Sequence, residues 1–239
     1  MSNKTELGSK LIRCECKSLS TLHTIILLLL TVGVFELTNI DLWTQEFFYF
    51  RSTQTWLIDS NNTVLRFIFY SGIKTLFIAV VLSLIFALIF LRKAGWVKSR
   101  KKSLILIVLS CIVIPLVVGF IKDATNIPCP NQLLFFDGGY AQIGLFEVMG
   151  DNNTRPHTSC YPAGHASGGF ALLSLLFLFN RPKSKRVAFV AVMLLAWGIA
   201  SYKMLIGDHF LSHTLVTMLL AWLMILLLTI LVEKFTRLR

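Results

Sequence analysis

Charge is scarce in this sequence, and acidic charge is scarcer still. Asp, Glu, Lys and Arg together make up 15% of the 239 residues, and 12 of them are acidic against 23 basic. No internal repeat and no low-complexity segment is present, which excludes a solenoid or a compositionally biased linker. The polar start, Met1 to Lys17, is followed by an apolar run that continues to about Leu37 with no small-residue cleavage signal behind it. That excludes a removed signal peptide and predicts an uncleaved first helix. The metalloprotease pattern H-E-x-x-H is also missing.

Apolar side chains fill the space that charge leaves. They account for 55% of the chain, and the mean hydropathy is +0.72, well above that of a soluble domain. Runs of about 18–25 apolar residues predict six membrane-spanning helices. They fall at about Leu22–Thr38, Thr75–Leu91, Leu104–Ile121, His165–Phe179, Val187–Tyr202 and His209–Val232. The fold class is therefore all-α, a polytopic helical bundle. One membrane domain over residues 1–239 is expected, with residues 1–20 as a cytoplasmic tail and 122–164 as a long outer loop.

A net charge of +11 could suggest nucleic acid, but the location of the charges argues against it. The N-terminal segment, the Arg92–Lys102 connection, the Arg181–Arg186 connection and the C-terminus hold 17 of the 23 basic residues, opposed only by Glu6, Glu15 and Glu233. This is the positive-inside bias, so both termini are expected in the cytoplasm and no nucleic-acid partner is implied.

The other side has three connections. The first contains Leu42-Trp43-Thr44-Gln45-Glu46-Phe47-Phe48-Tyr49-Phe50, whose aromatics predict a helix lying at the headgroups, an anchor rather than a substrate site. Arg66 and Lys74 fall near the same surface, within reach of an anionic headgroup. The second connection, Lys122–Gly164, is long, a length that marks function or disorder. Asp137-Gly138-Gly139 and Asp151-Asn152-Asn153 are turn signals within it. The third, around Lys203–His209, is very short.

His165, His209, His213, Lys122 and Lys203 all map to the outer ends of helices, from segments far apart in sequence. Ionisable groups at membrane depth are costly and mark function. Pro162-Ala163-Gly164-His165 opens a helix, where unpaired backbone N–H groups favour an anion. Lysines beside such amides suit phosphate oxygens. A neutral imidazole can attack phosphorus, and a second can protonate the leaving alkoxide. No metal or other cofactor is required. Two plainer readings stand beside this one: helix-end histidines and snorkelling lysines, and a zinc site on His165, His209 and His213 that lacks a catalytic glutamate. His23, His157, Cys14, Cys16 and Cys111 receive no chemical role.

Three stretches in order carry a family resemblance. They are Lys122-x6-Cys129-Pro130, Pro162-Ala163-Gly164-His165 and Tyr202-Lys203-x5-His209-x3-His213. With the six-helix layout, the chain resembles the type 2 phosphatidic acid phosphatases, relatives of the vanadium haloperoxidases, over about residues 60–235. Their motifs are K-x6-R-P, P-S-G-H and S-R-x5-H-x3-D. The resemblance implies that His209 attacks phosphorus to form a phosphohistidine. It implies that His165 handles the leaving-group proton, and that Lys122, Lys203 and the Ala163–Gly164 amides bind phosphate.

Four positions depart from that pattern. Cys129 replaces an arginine, Ala163 a serine, Lys203 an arginine, and His213 the aspartate that orients the nucleophile. His213, four residues after His209, is expected on the same helix face. Arg155 or Arg66 is the substitute cation. On an oxidising outer face Cys129 and Cys160 either pair, tying the first motif to the second, or stay free thiols. The implied function is a bacterial inner-membrane phosphatase acting at the outer leaflet on phospholipid, lipid A or polyprenyl phosphates. A lipid phosphotransferase on the same chemistry and a degenerate, noncatalytic lipid-binding or transport protein are the rivals; oligomeric state is left open.

Overall fold

The computed structural model describes residues 2–148 and 158–237, with side chains over 19–147 and 158–235. The Asp151-Asn152-Asn153 turn, Arg155 and His157 lie outside the described residues, as do the side chains of Cys14 and Cys16. The architecture is an all-α polytopic bundle. Its elements run α1 (Ser2–Glu36), α2 (Ile40–Glu46), a two-stranded hairpin of β1 (Tyr49–Phe50) and β2 (Thr55–Trp56), then α3 (Thr63–Phe90) and α4 (Gly95–Thr125). After an irregular loop come α5 (Gly164–Leu178), α6 (Pro182–Leu205) and α7 (Leu211–Arg237).

Among the described residues, five helices are long and apolar enough to cross a membrane: α1 from Leu19 onward, α3, α4, α6 and α7. The fourth expected span, α5, is shorter. Its first eight residues are α-helical and its last seven, Leu172–Leu178, form a 3-10 helix. At about 1.5 and 2.0 Å per residue these give about 26 Å, close to the thickness of a bilayer's hydrocarbon core. The stretched segment keeps a tether to its neighbour: the Ser103 hydroxyl donates to the Phe177 carbonyl at 2.7 Å.

Helices α1, α3, α4 and α6 outrun the hydrophobic stretches that announced them, because polar flanks continue the hydrogen-bond ladder past the apolar run. Thus α3 begins at Thr63 rather than near Thr75, capped by the Asn62 side chain, which accepts the Leu65 N–H at 3.1 Å. Helix α1 reaches back to Ser2. The sixth span is the exception. It begins at Leu211, so His209 lies before the helix and does not share a helical face with His213.

Helices α4 to α7 enclose the core, where Ile114, Phe170, Ala196, Ala221 and Ile225 are fully buried. In lipid, helix association rests on close packing rather than on a hydrophobic driving force, so small residues sit at the contacts. At Gly169 an added Cβ would stand 3.0 Å from the Ala196 Cα, which lets α5 and α6 nearly touch. Helices α1 and α3 flank this core; only 6% of the Leu19–Glu36 stretch and 11% of the α3 span are buried, leaving apolar side chains to face lipid.

The aromatic segment departs from expectation. Helix α2 stops at Glu46, and the hairpin takes over. Trp43 and Phe47 are exposed and stack edge-to-face at 5.2 Å, as an interfacial anchor should. Tyr49 instead turns inward and packs with Trp56 and Phe136, while its hydroxyl bonds the Asp137 carboxylate at 2.5 Å. Gln45 is buried too, and its amide donates to the Met204 carbonyl at the end of α6 at 2.6 Å. This layer of loops covers the end of the bundle that carries the motifs.

Candidate active site

Helix α4 ends at Asn126, which takes a left-handed conformation (φ 46°) that asparagine tolerates better than most residues. Its side-chain oxygen accepts the Thr158 N–H at 2.8 Å. The Cys160 N–H donates to the Ile127 carbonyl at 2.8 Å, and the Thr125 hydroxyl donates to the Tyr161 carbonyl. Cys129 and Cys160 are joined by a disulfide, with Cα atoms 5.2 Å apart. The first motif is thereby laid alongside the second, across 31 positions of chain.

Helix α5 then opens at Gly164, with Ala163 as its N-cap residue. The Ala163 N–H is not offered to a ligand: it donates to the His213 carbonyl at 3.3 Å, and the residue is fully buried. The expectation of an Ala163 amide for phosphate is corrected on that point. The Gly164, His165 and Ala166 amides keep the first-turn positions that have no intrahelical partner. Gly164 also faces Lys122: a Cβ there would lie 3.7 Å from the lysine Cδ.

The third motif is shaped by a turn. After α6, Gly207 adopts φ +77°, and an added Cβ would collide with the Trp56 ring. Only glycine fits both the dihedral and the ring. The chain folds back so that the Asp208 and His209 N–H groups both reach the Lys203 carbonyl, at 2.8 and 3.3 Å. Asp208 therefore stands over Lys203, and carboxylate and ammonium meet at 2.6 Å. Asn131 holds the far side of the same carboxylate at 3.2 Å. The sequence signal for this pair was a Lys and an Asp five positions apart, but read as continuing helix the two diverge; the turn reverses that.

The histidines converge. The His165 and His209 ring centroids are 6.1 Å apart, and those of His209 and His213 are 5.8 Å apart. His213 is packed by Tyr161 and Phe210 at 5.0 and 5.4 Å. It hydrogen-bonds the Cys160 main chain rather than His209. Its Nδ1 and both nitrogens of His209 are buried without a partner among the described residues. Burial first, then the neighbouring imidazoles and lysines, hold His209 well below its ordinary pKa, so its ring is neutral. No group of three His, Cys, Asp or Glu side chains among the described residues is arranged to hold a metal ion.

Two cavities meet at this place. A polar one of about 260 Å³ is lined by Ser60, Asn61, Arg66, His165, Lys203 and Asp208, with Tyr70 and Tyr202. An apolar one of about 450 Å³ runs between α3 and α5, past Phe77, Pro115, Gly168 and Leu195. Both are bordered by Tyr70 and His165. Tyr70 packs against His165 with the ring planes tilted and the centroids 4.9 Å apart, and lies 4.9 Å beneath the Lys203 ammonium. It belongs to a π-helical stretch of α3, Phe67–Gly72, a deviation that recurs at functional sites. Sequence reading missed Tyr70, since an aromatic inside an apolar run looks like any other wall residue.

A sequence profile of the PAP2 superfamily matches residues 103–237, which contain all three motifs. The chain belongs to the PAP2 superfamily. No curated protein and no solved structure matches. PAP2 members are generally phosphatases of phosphate esters, and membership supports that activity at this coarse level for this membrane-helical chain. The PAP2 match takes in α4 from Ser103 onward through α7 and leaves out α1, α2 and the whole of α3, the element that supplies Arg66, Tyr70 and Lys74.

Proposed function

We propose that this PAP2 protein is an integral-membrane lipid phosphatase that works through a phosphohistidine on His209. The observation that carries the reading is the meeting of the two cavities at His165 and Tyr70. A molecule with an anionic head and an apolar tail matches that pair of spaces; a soluble phosphate ester would leave the apolar one empty. Phospholipid, lipid A and polyprenyl phosphates or diphosphates share this chemistry.

In the first step a His209 nitrogen bonds to phosphorus, the phosphorus–oxygen bond to the lipid breaks, and His165 gives the departing oxygen a proton. In the second, His165 takes a proton from water, whose oxygen displaces His209 from phosphorus. Lys122, Lys203 and the free amides of Gly164, His165 and Ala166 hold the nonbridging oxygens. Both His209 nitrogens are closed off in this conformation, and Lys203 is occupied by Asp208. Substrate binding must therefore exchange the carboxylate for phosphate at Lys203. His213 supports His209 by packing beside it, its free Nδ1 standing in for the missing carboxylate as an acceptor. The charge bias supports cytoplasmic termini and a site at the outer leaflet, and the membrane in this reading is a bacterial inner membrane.

The test is phosphate release from a panel of lipid phosphates in detergent. Wild type should release phosphate and His209→Ala should not, a loss of about a thousandfold or more. Transfer to a second lipid without release would replace hydrolysis with phosphotransfer. Equal release by wild type and His209→Ala across the panel would end the enzymatic reading.

A further inference from the structure

We propose that Arg66 supplies the guanidinium that binds the substrate's phosphate, in place of the cation missing from the first motif. The inference rests on the phosphatase reading and names a binding residue that the motifs do not contain. Four observations lead to it.

First, position 129 holds a cysteine consumed in the bridge to Cys160. It carries no charge and stays with the loop scaffold. Second, the ammonium of Lys203 is already matched by Asp208 at 2.6 Å. The charged groups lining the polar cavity are Lys203, Asp208 and Arg66. Without Arg66 that lining sums to zero, leaving Lys122 and the first-turn amides of α5 to offset the cost of taking a phosphate dianion out of water. With it, the lining is positive. Third, the Arg66 side chain makes no hydrogen bond or ion pair among the described residues. Arg51, by contrast, is committed to Glu46 at 2.8 Å and lies over the Phe135 ring.

Fourth, the helix aims Arg66 at the site. Arg66 and Tyr70 are four residues apart on α3, hence neighbours on one face. Both line the cavity that His165 opens into. Ser60 and Asn61, in the turn before α3, add polar groups beside the guanidinium. A planar fork of donors suits the nonbridging oxygens of a phosphate, and an arginine that is exposed in the empty site has little to lose when it binds them.

The test uses the full-length protein in detergent micelles, with orthovanadate as a phosphate-shaped probe. Thermal stabilisation by vanadate reads binding without turnover, and phosphate release from dioctanoyl phosphatidate reads KM and kcat. Arg66→Gln should raise the vanadate dissociation constant and KM by about 10- to 100-fold, with a smaller change in kcat. Arg66→Lys should fall between, having charge without the fork. Arg51→Gln should match wild type. Because Arg66 is exposed, the substitutions leave the unliganded melting temperature unchanged. Equal vanadate binding by wild type and Arg66→Gln, or none by wild type, overturns the assignment. If wild type binds vanadate through Arg66 yet releases no phosphate from any lipid, the phosphatase reading fails and the anion site stands.

Discussion

Breaking the Cys129–Cys160 bridge tests how the two halves of the site are held together. The cysteines are separated by 31 positions, so the bridge closes a long loop in the unfolded chain. The chain-entropy relation for a loop of that length gives about 3.7 kcal/mol of stabilisation at 25 °C. In melting temperature that is of the order of 10 °C for a chain of this size. The catalytic register should suffer less. The Cys160 N–H bond to Ile127 and the Thr158 N–H bond to Asn126, both 2.8 Å, still join the same two strands of chain after reduction. The Cys129→Ala/Cys160→Ala protein should therefore melt about 10 °C lower and keep a substantial part of its kcat at 25 °C. The assay is thermal unfolding in detergent, paired with alkylation and mass spectrometry to prove the thiol state. Two free thiols in protein prepared from oxidising membranes would refute the bridge. A melting temperature unchanged within about 2 °C after proven reduction would refute the loop-entropy account of its worth.

Two further outcomes follow from single residues. Asp41 accepts the Ser212 N–H at 2.9 Å near the start of α7, and burial lifts its carboxyl from 3.8 to about 6. A folded-state pKa above the unfolded one penalises the charged form, so the cost is absent below pH 4 and complete above pH 6, at up to about 3 kcal/mol. Asp41→Asn keeps the acceptor and should raise the melting temperature at pH 8 but not at pH 4; an equal effect at both values would show that burial of charge is not the cause. Gly207→Ala places a Cβ into the Trp56 ring at φ +77° and should cost about 2–4 kcal/mol and most of the activity, two residues from His209. Adding Trp56→Ala should restore part of both if the collision is the reason, and strictly additive losses would say otherwise.

The bundle and the motif set were legible in the sequence; the wiring between motifs was not. Apolar runs mark spans because moving an apolar helix out of water is a large, local effect that does not depend on neighbours. The runs located all six helices but not their ends, since backbone hydrogen bonds continue into polar flanks at α3 and α6. At α5 the shortness of the run had a structural counterpart, a 3-10 finish that lengthens 15 residues toward a full crossing. The aromatic stretch after α1 was half right: Trp43 and Phe47 face outward, whereas Tyr49 joined a cluster supplied by Trp56 and Phe136.

The sequence by itself determined that this is a membrane bundle of the PAP2 superfamily, which residue types stand at each motif position, and that charge is partitioned between its two ends. Tertiary structure alone decided what each polar group is free to do. The Ala163 amide is spent on His213, Lys203 is matched by Asp208, His209 is shut away, and Arg66 arrives from a helix outside the profile match. The physical reason is range. Transfer into lipid is summed along a segment and survives any packing, while a hydrogen bond or ion pair exists only within about 3 Å. Whether that distance is reached turns on a single dihedral such as that of Gly207, which composition and spacing do not encode.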